Sequence, residues 1–192
     1  MPHPDACRWD ARYAQEQDRW LEHHPRQLLV DYAYLLPDTG LALDAASGVG
    51  VNSLFLARRG LHVIALDISE IALRLALRQA RSEGLPLSAA VYDLSSPWLP
   101  EASFDVILNF HFLERATLPV FRAALKPGGL LFFETFMKVG EEIDQPEYYL
   151  DPGELRAAFR DFEFIRNTEI FLPATVNHPP RGMAQLVARK PC

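Results

Sequence analysis

Two cysteines in 192 residues, Cys7 and Cys192 near opposite ends and without metal-ligand spacing, exclude a disulfide framework and point to a reducing interior. No apolar run approaches the roughly 20 residues that a membrane span needs. The opening stretch MPHPDACRWDARYAQEQDRWLEHHP has no apolar core of a leader, so a cytoplasmic protein with no membrane partner is expected. Basic residues form no long run and the formal net charge is −6, which argues against a nucleic-acid backbone as the main partner. Of six histidines two are adjacent, His23 and His24, and the rest are scattered; HExxH is missing, so no metal site is expected.

What is present is apolar: 49% hydrophobic and 11% aromatic residues suffice for one substantial core, read as a single domain over 1–192. Residues 1–38 form an N-terminal helical cap segment within it. Tyr13, Trp20, Leu21, Leu28, Leu29 and Tyr32 recur there at helical spacing, and Pro25 divides them into two short helices. Strand and helix patterns then alternate. Strands are predicted at Leu41–Ala46, Leu61–Asp67, Leu87–Tyr92, Phe104–Phe110 and Leu130–Phe136. The intervening helices start at Asn52, after Ser69 as N-cap, and at Thr117; Gly60, Gly84 and Pro127–Gly129 close them. A helix capped by Asp151 and two strands joined without a helix finish the chain. The pattern predicts an α/β, Rossmann-like, doubly wound, mostly parallel seven-stranded sheet with an antiparallel last strand and helices on both faces.

In such sheets ligands bind beyond the carboxyl ends of the strands, where strand order reverses. The first turn, LALDAASGVG, puts Gly48 and Gly50 beside a helix N-terminus, where a ligand can approach the main chain. A third glycine is lacking, and Asp44 would repel a pyrophosphate while attracting an ammonium or sulfonium. Asp67, ending the second strand, is placed to accept from a ribose diol, although an aspartate there also suits a helix cap. Asp93, after the third strand, could accept from an adenine amine with Ile68 or Leu94 on the ring face, and equally reads as the acid of a DLSSP turn.

In order along the chain, LALDAASGVG, VIALDIS, VYDLSS, FDVILNFHFLE and LKPGGLLFFETF resemble the motifs of the class I S-adenosylmethionine-dependent methyltransferases. The resemblance covers Leu41 to about Phe136. It implies that Asp44, Ala46, Ser47, Gly48 and Gly50 hold the methionine part of S-adenosyl-L-methionine, that Asp67 takes the ribose and Asp93 the adenine, and that Asn109 and Phe110 line the pocket. The family's first loop glycine is Ala46 here. RWDARYAQ, and YYLDPGELRAAF followed by Glu169, are more loosely similar to tellurite-resistance and thiopurine-type small-molecule methyltransferases. The implied activity is in-line methyl transfer to a small-molecule acceptor. A non-catalytic binding or partner protein on the same fold is the alternative, and a nicotinamide-dependent oxidoreductase fits less well. No catalytic residue stands out: His111 is a weak candidate for a base, or only a polar lining residue, and Glu134 is in the same position.

Overall fold

Apolar strands flanked by amphipathic helices assemble into a seven-stranded sheet. The computed structural model describes residues 3–16, 23–140, 145–173 and 180–192. Two short helices, α1 (Pro4–Glu16) and α2 (Gln27–Asp31), precede the sheet, as the proline between them predicts; Trp20 and Leu21 lie outside the described residues. Then come β1 (Gly40–Ala45), α3 (Val51–Ala57), β2 (Leu61–Asp67), α4 (Glu70–Glu83), β3 (Leu87–Val91), β4 (Phe104–Phe110), α5 (Thr117–Ala124), β5 (Leu125–Met137), α6 (Glu154–Ala158), β6 (Glu163–Leu172) and β7 (Arg181–Arg189). The strand order is β3-β2-β1-β4-β5-β7-β6, with β7 antiparallel to both neighbours and all other pairs parallel. Among the described residues no helix is long and apolar enough to cross a membrane.

The sheet is covered on both sides because its central strands are apolar on both faces. On one face Leu28 and Leu29 of α2 and Leu56 of α3 pack on Val63, Val106, Leu108, Phe132 and Val187. On the other, Phe121 of α5, Leu155 of α6 and Phe159 pack on Leu43, Ile107, Leu131, Phe133 and Leu186. Ser69 caps α4 by accepting from the Ala72 N–H at 3.1 Å, and Gly84, at φ 66°, ends it, both as expected.

Two local expectations fail. Helix α5 stops at Ala124, before Pro127–Gly129, which instead lie inside β5 where the β4 ladder slips between Phe104 and Val106. Asp151 does not cap α6: Gly153, at φ 77°, takes that position, and the Asp151 carboxylate bonds the Lys138 ammonium at 2.8 Å. A glycine in the left-handed region turns the chain more sharply than an aspartate allows, and a nearby cation competes for the carboxylate.

Candidate functional site

The strand order reverses between β1 and β4, and in such sheets a ligand crevice is expected at the carboxyl ends of those strands, here beside the 46–50 turn. That turn is tight: Ala46, Gly48 and Gly50 all have positive φ, at 53°, 54° and 75°. The Ser47 N–H donates to the Leu66 carbonyl at 3.0 Å, which ties the turn to β2.

Asp67 joins the two strand ends. Its Oδ2 accepts from the Gly48 N–H at 2.7 Å, and its Oδ1 accepts from the Ser69 N–H at 2.9 Å. Burial raises its pKa against the backbone N–H bonds from Ser69, Gly48 and Ile68, and the Asp10 charge raises it further. Asp44 lies one layer deeper, 1% exposed, with its Oδ2 accepting from Ser53 Oγ of α3 at 2.6 Å. Burial pushes its pKa up to about 7; the Ser53 bond opposes this and Asp67 adds to it.

Three buried polar atoms among the described residues have no hydrogen-bond partner: Ser47 Oγ, Asn109 Oδ1 and His111 Nε2. All three lie at the ends of β1 and β4. Asn109 spends its Nδ2 on the Phe112 carbonyl at 2.8 Å, which leaves its oxygen as an acceptor. Orphaned buried groups carry a desolvation penalty, so their concentration at one crevice fits a polar ligand there.

The remaining predicted residues are spread around this centre. Asp93 is exposed, with Oδ1 accepting from the Ser95 N–H at 2.8 Å; that bond holds its pKa below the usual range, and His3 Nε2 is 4.0 Å from its Oδ2. Leu94 is buried in the core, Ile68 is half-buried, and Phe110 packs with α2 and Phe132. Gly50 also has a packing role, since a Cβ there would meet the Ala76 Cβ of α4 at 2.7 Å. At Gly48 a Cβ would meet the Tyr13 hydroxyl at 2.7 Å. The basic pair after α3 has structural partners, Arg58 in a two-point bond to Glu83 and Arg59 over the Phe55 ring.

Helix α1 lies across these strand ends. Its Asp10 Oδ1 accepts from Ser69 Oγ at 2.6 Å and the Ile71 N–H at 3.2 Å, Tyr13 packs with Val49 and Ala72, and Trp9 stacks on Tyr13. Of these aromatics, Tyr13 is buried and Trp9 half-buried. Sequence reasoning missed Asp10, since an aspartate in a polar helix carries no signal of the cap it makes 59 residues away.

At the end of β4, beside the Phe110–Glu134 pair of the β4–β5 ladder, His111 adopts φ 56° and its N–H donates to the Glu134 carbonyl at 2.7 Å. Its Nε2 is 3.3 Å from Glu134 Oε1, near enough for charge attraction but off line for a full hydrogen bond. Glu134 Oε2 accepts from Gln185 Nε2 at 2.7 Å. Burial would raise the Glu134 pKa, but His111, Gln185 and the Arg26 charge outweigh it and hold the acid below its ordinary value.

Residues 42–129 match the family described as a methyltransferase domain. Hemagglutinin 1 of Eikenella corrodens is 31% identical over 139 residues, covering 66% of this chain and 45% of that protein. The ubiquinone biosynthesis O-methyltransferase of Nitrosococcus oceani is 36% identical over 101 residues, covering 48% of this chain and 42% of that protein. The chain therefore spans less than half the length of either relative. The crystal structure of TehB from Haemophilus influenzae aligns with a TM-score of 0.75 at 21% identity, over 95% of this chain and 67% of that one, a likeness in fold. The match of residues 42–129 to a methyltransferase domain and the likeness in fold to TehB agree with the family that the motifs resemble.

Proposed function

We propose that this protein transfers a methyl group from S-adenosyl-L-methionine to a small-molecule acceptor. The observation that carries the reading is the β1/β4 reversal, where buried acids at two neighbouring strand ends stand near unpartnered Ser47 Oγ and Asn109 Oδ1. The residues present fit such a donor. Asp67 would take the ribose diol and Asp93 the adenine amine, with Ile68 and Leu94 near the ring; Asp44, Ala46, Ser47 and Gly48 would face the amino-acid end, with Gly50 holding the turn. Asn109 supplies an acceptor beside the donor, while Phe110 supports the wall from the core side.

The bound donor brings a methyl group already activated on a sulfonium. The chain's own tasks are therefore to hold the reactants in line, exclude water and tolerate the loss of positive charge. Helix α1 covers the crevice through Asp10 and Tyr13, which serves water exclusion. His111, beside an ionised Glu134, would take the proton of an oxygen or nitrogen acceptor once its Nδ1 is free. A net charge of −6 supports a metabolite-sized acceptor over a nucleic acid.

Calorimetry tests the donor reading. S-adenosylmethionine and S-adenosylhomocysteine are expected to bind at about micromolar Kd, and Asp67→Ala to weaken both about tenfold or more through loss of charged hydrogen bonds. No detectable binding of either ligand would remove the proposal.

A further inference from the structure

On the sheet face that carries α2, the β4, β5 and β7 ladders place Phe110, Glu134 and Gln185 side by side. The polar groups at that level form a chain: Arg166 Nε donates to Gln185 Oε1 at 3.1 Å, Gln185 to Glu134, and Glu134 faces His111. At the other side of the imidazole stands Arg26, whose NH2 is 3.1 Å from His111 Nδ1. Arg26 is held from behind, its backbone N–H donating to Asn52 Oδ1 at 2.9 Å.

The chemistry of that contact fixes the tautomer. A guanidinium only donates, so Nδ1 carries the lone pair and Nε2 carries the proton that faces Glu134. The single basic atom of His111 is thus covered by a cation that can never accept a proton. For His111 to deprotonate anything, Arg26 must first be drawn away, and only a stronger acceptor, an anion, draws a guanidinium from a neutral imidazole.

The surroundings supply both the charge and the shape. Among the described residues, Arg26, Arg166 and Arg181 have no carboxylate in ion-pairing contact, and Glu134 is the one acid in this row. Phe136 lies between His111 and Arg181, with ring centre 4.9 Å from the imidazole and 5.5 Å from the Arg181 guanidinium carbon, and Tyr149 stands 6.3 Å away. Aromatic faces beside guanidinium groups suit a flat apolar body bearing a carboxylate.

We infer that Arg26 is the acceptor-recognition residue of this site, that the acceptor is a small aromatic carboxylic acid, and that its carboxylate, by taking Arg26, uncovers His111 Nδ1. This rests on the methyltransferase reading above. The transfer then balances: the acceptor's O–H or N–H proton passes to His111 Nδ1, the heteroatom's electron pair forms the new bond to the methyl carbon, and the C–S pair stays on sulfur as a thioether. The imidazolium, stabilised by Glu134, releases its proton to solvent. Arg26 positions; it touches no reacting atom.

The test uses the full chain saturated with S-adenosylhomocysteine, with 4-hydroxybenzoate and 4-hydroxybenzamide as probes. The acid is expected to bind about tenfold or more tightly than the amide, a preference that Arg26→Gln abolishes and Arg26→Lys partly restores, since lysine keeps the charge but not the fork. Nitrogen-15 spectra of the imidazole supply a readout apart from turnover: Nδ1 of His111 is the unprotonated nitrogen in the absence of probe, and its signal moves on adding the acid and not the amide. Equal binding of acid and amide, no binding of the acid up to about 5 mM, or selectivity surviving in Arg26→Gln overturns the inference. Binding of S-adenosylhomocysteine by each variant reports separately on folding and on the donor site, so a failure there falls on the donor reading alone.

Discussion

Replacing Asp44 with asparagine separates two effects that the native carboxylate combines, and their signs are opposite. In the folded protein Asp44 titrates at about 7, against an ordinary value of 3.8, because burial outweighs the Ser53 hydrogen bond and Asp67 adds repulsion. Between those values the folded state holds a proton that the unfolded state has released. Stability is therefore greatest at low pH and falls as pH rises toward 7, by up to about 4 kcal/mol over the whole interval. Asparagine keeps the size and the acceptor for Ser53 Oγ but does not ionise. Its added N–H2 costs about 1–3 kcal/mol if unpaired.

At pH 8, Asp44→Asn is expected to be more stable than wild type by about 1–3 kcal/mol, about 2–10 °C in Tm for a chain of this size. At pH 5 much of the advantage is gone, because wild-type Asp44 is then protonated in the fold. The assay is urea unfolding of both proteins at half-unit steps from pH 5 to 8, read as the difference in stability so that groups common to both cancel. That difference should grow by about 2–3 kcal/mol across the range. Binding runs the other way. A cationic donor prefers the ionised acid, so wild-type affinity is expected to rise with pH between 5.5 and 7, with proton release in calorimetry, and Asp44→Asn to lose that rise and about ten- to a hundredfold in affinity. A stability difference that is flat across pH 5 to 8 would refute the burial argument, and an unchanged affinity would refute the electrostatic one.

Other expectations follow from single contacts. Ala46 holds φ 53°, which costs an alanine about 1–2 kcal/mol; glycine gives back about 0.4–1 kcal/mol through unfolded-state freedom, so Ala46→Gly should stabilise by up to about 1 kcal/mol in denaturant melts, and any loss of stability contradicts the strain. Gly50→Ala brings a Cβ to 2.7 Å from the Ala76 Cβ at a positive φ and should cost about 2–4 kcal/mol, part of which Ala76→Gly recovers in the double variant. A cost under about 0.5 kcal/mol would show that the turn does not depend on this close approach. Asp10→Ala removes the acceptor shared by Ser69 Oγ and the Ile71 N–H, with an expected loss of about 0.5–2 kcal/mol and faster amide exchange in α1; unchanged exchange would mean that α1 is held by its aromatics alone.

The parts of this fold legible in the chain are those governed by local rules. Strands β2 and β4 are bounded as the apolar runs predict, and α4 starts and stops where Ser69 and Gly84 say. Asp151 misled because a capping residue is chosen by competition, here with the Gly153 turn and Lys138, and the competitors are not adjacent in pattern. In the site, the first turn and Asp67 were legible because one βαβ unit brings them together within 19 residues. The Arg26–His111 contact spans 85 residues and joins two segments that share no motif, so no reading of spacing finds it. Gly50 was legible as a required glycine, and the α4 helix that packs behind it adds a reason that the motif does not carry.

Costs that the fold elsewhere avoids gather at one place. Of four non-glycine residues with positive φ among the described residues, Ala46 follows β1 and His111 follows β4, the two strands that flank the reversal, and Ala102 and Gln145 belong to connections away from it. The unpartnered Ser47 Oγ, Asn109 Oδ1 and His111 Nε2 share those strand ends, and Asp44 is buried beneath them. Strain of about 1–3 kcal/mol at each backbone position and a desolvation penalty of similar size at each orphaned atom persist only where surrounding packing, or a guest, offsets them. A ligand that fills the crevice should therefore stabilise through mass action, with S-adenosylhomocysteine at about a hundred times its Kd raising unfolding stability by about 2.7 kcal/mol. Relief of these costs on binding predicts that Ala46→Gly, which removes one of them beforehand, stabilises the ligand-saturated protein no more than the ligand-free one. If that variant gained more with ligand bound than without, the strain at Ala46 would belong to the bound state instead, and the crevice would be closing onto its ligand rather than waiting for it.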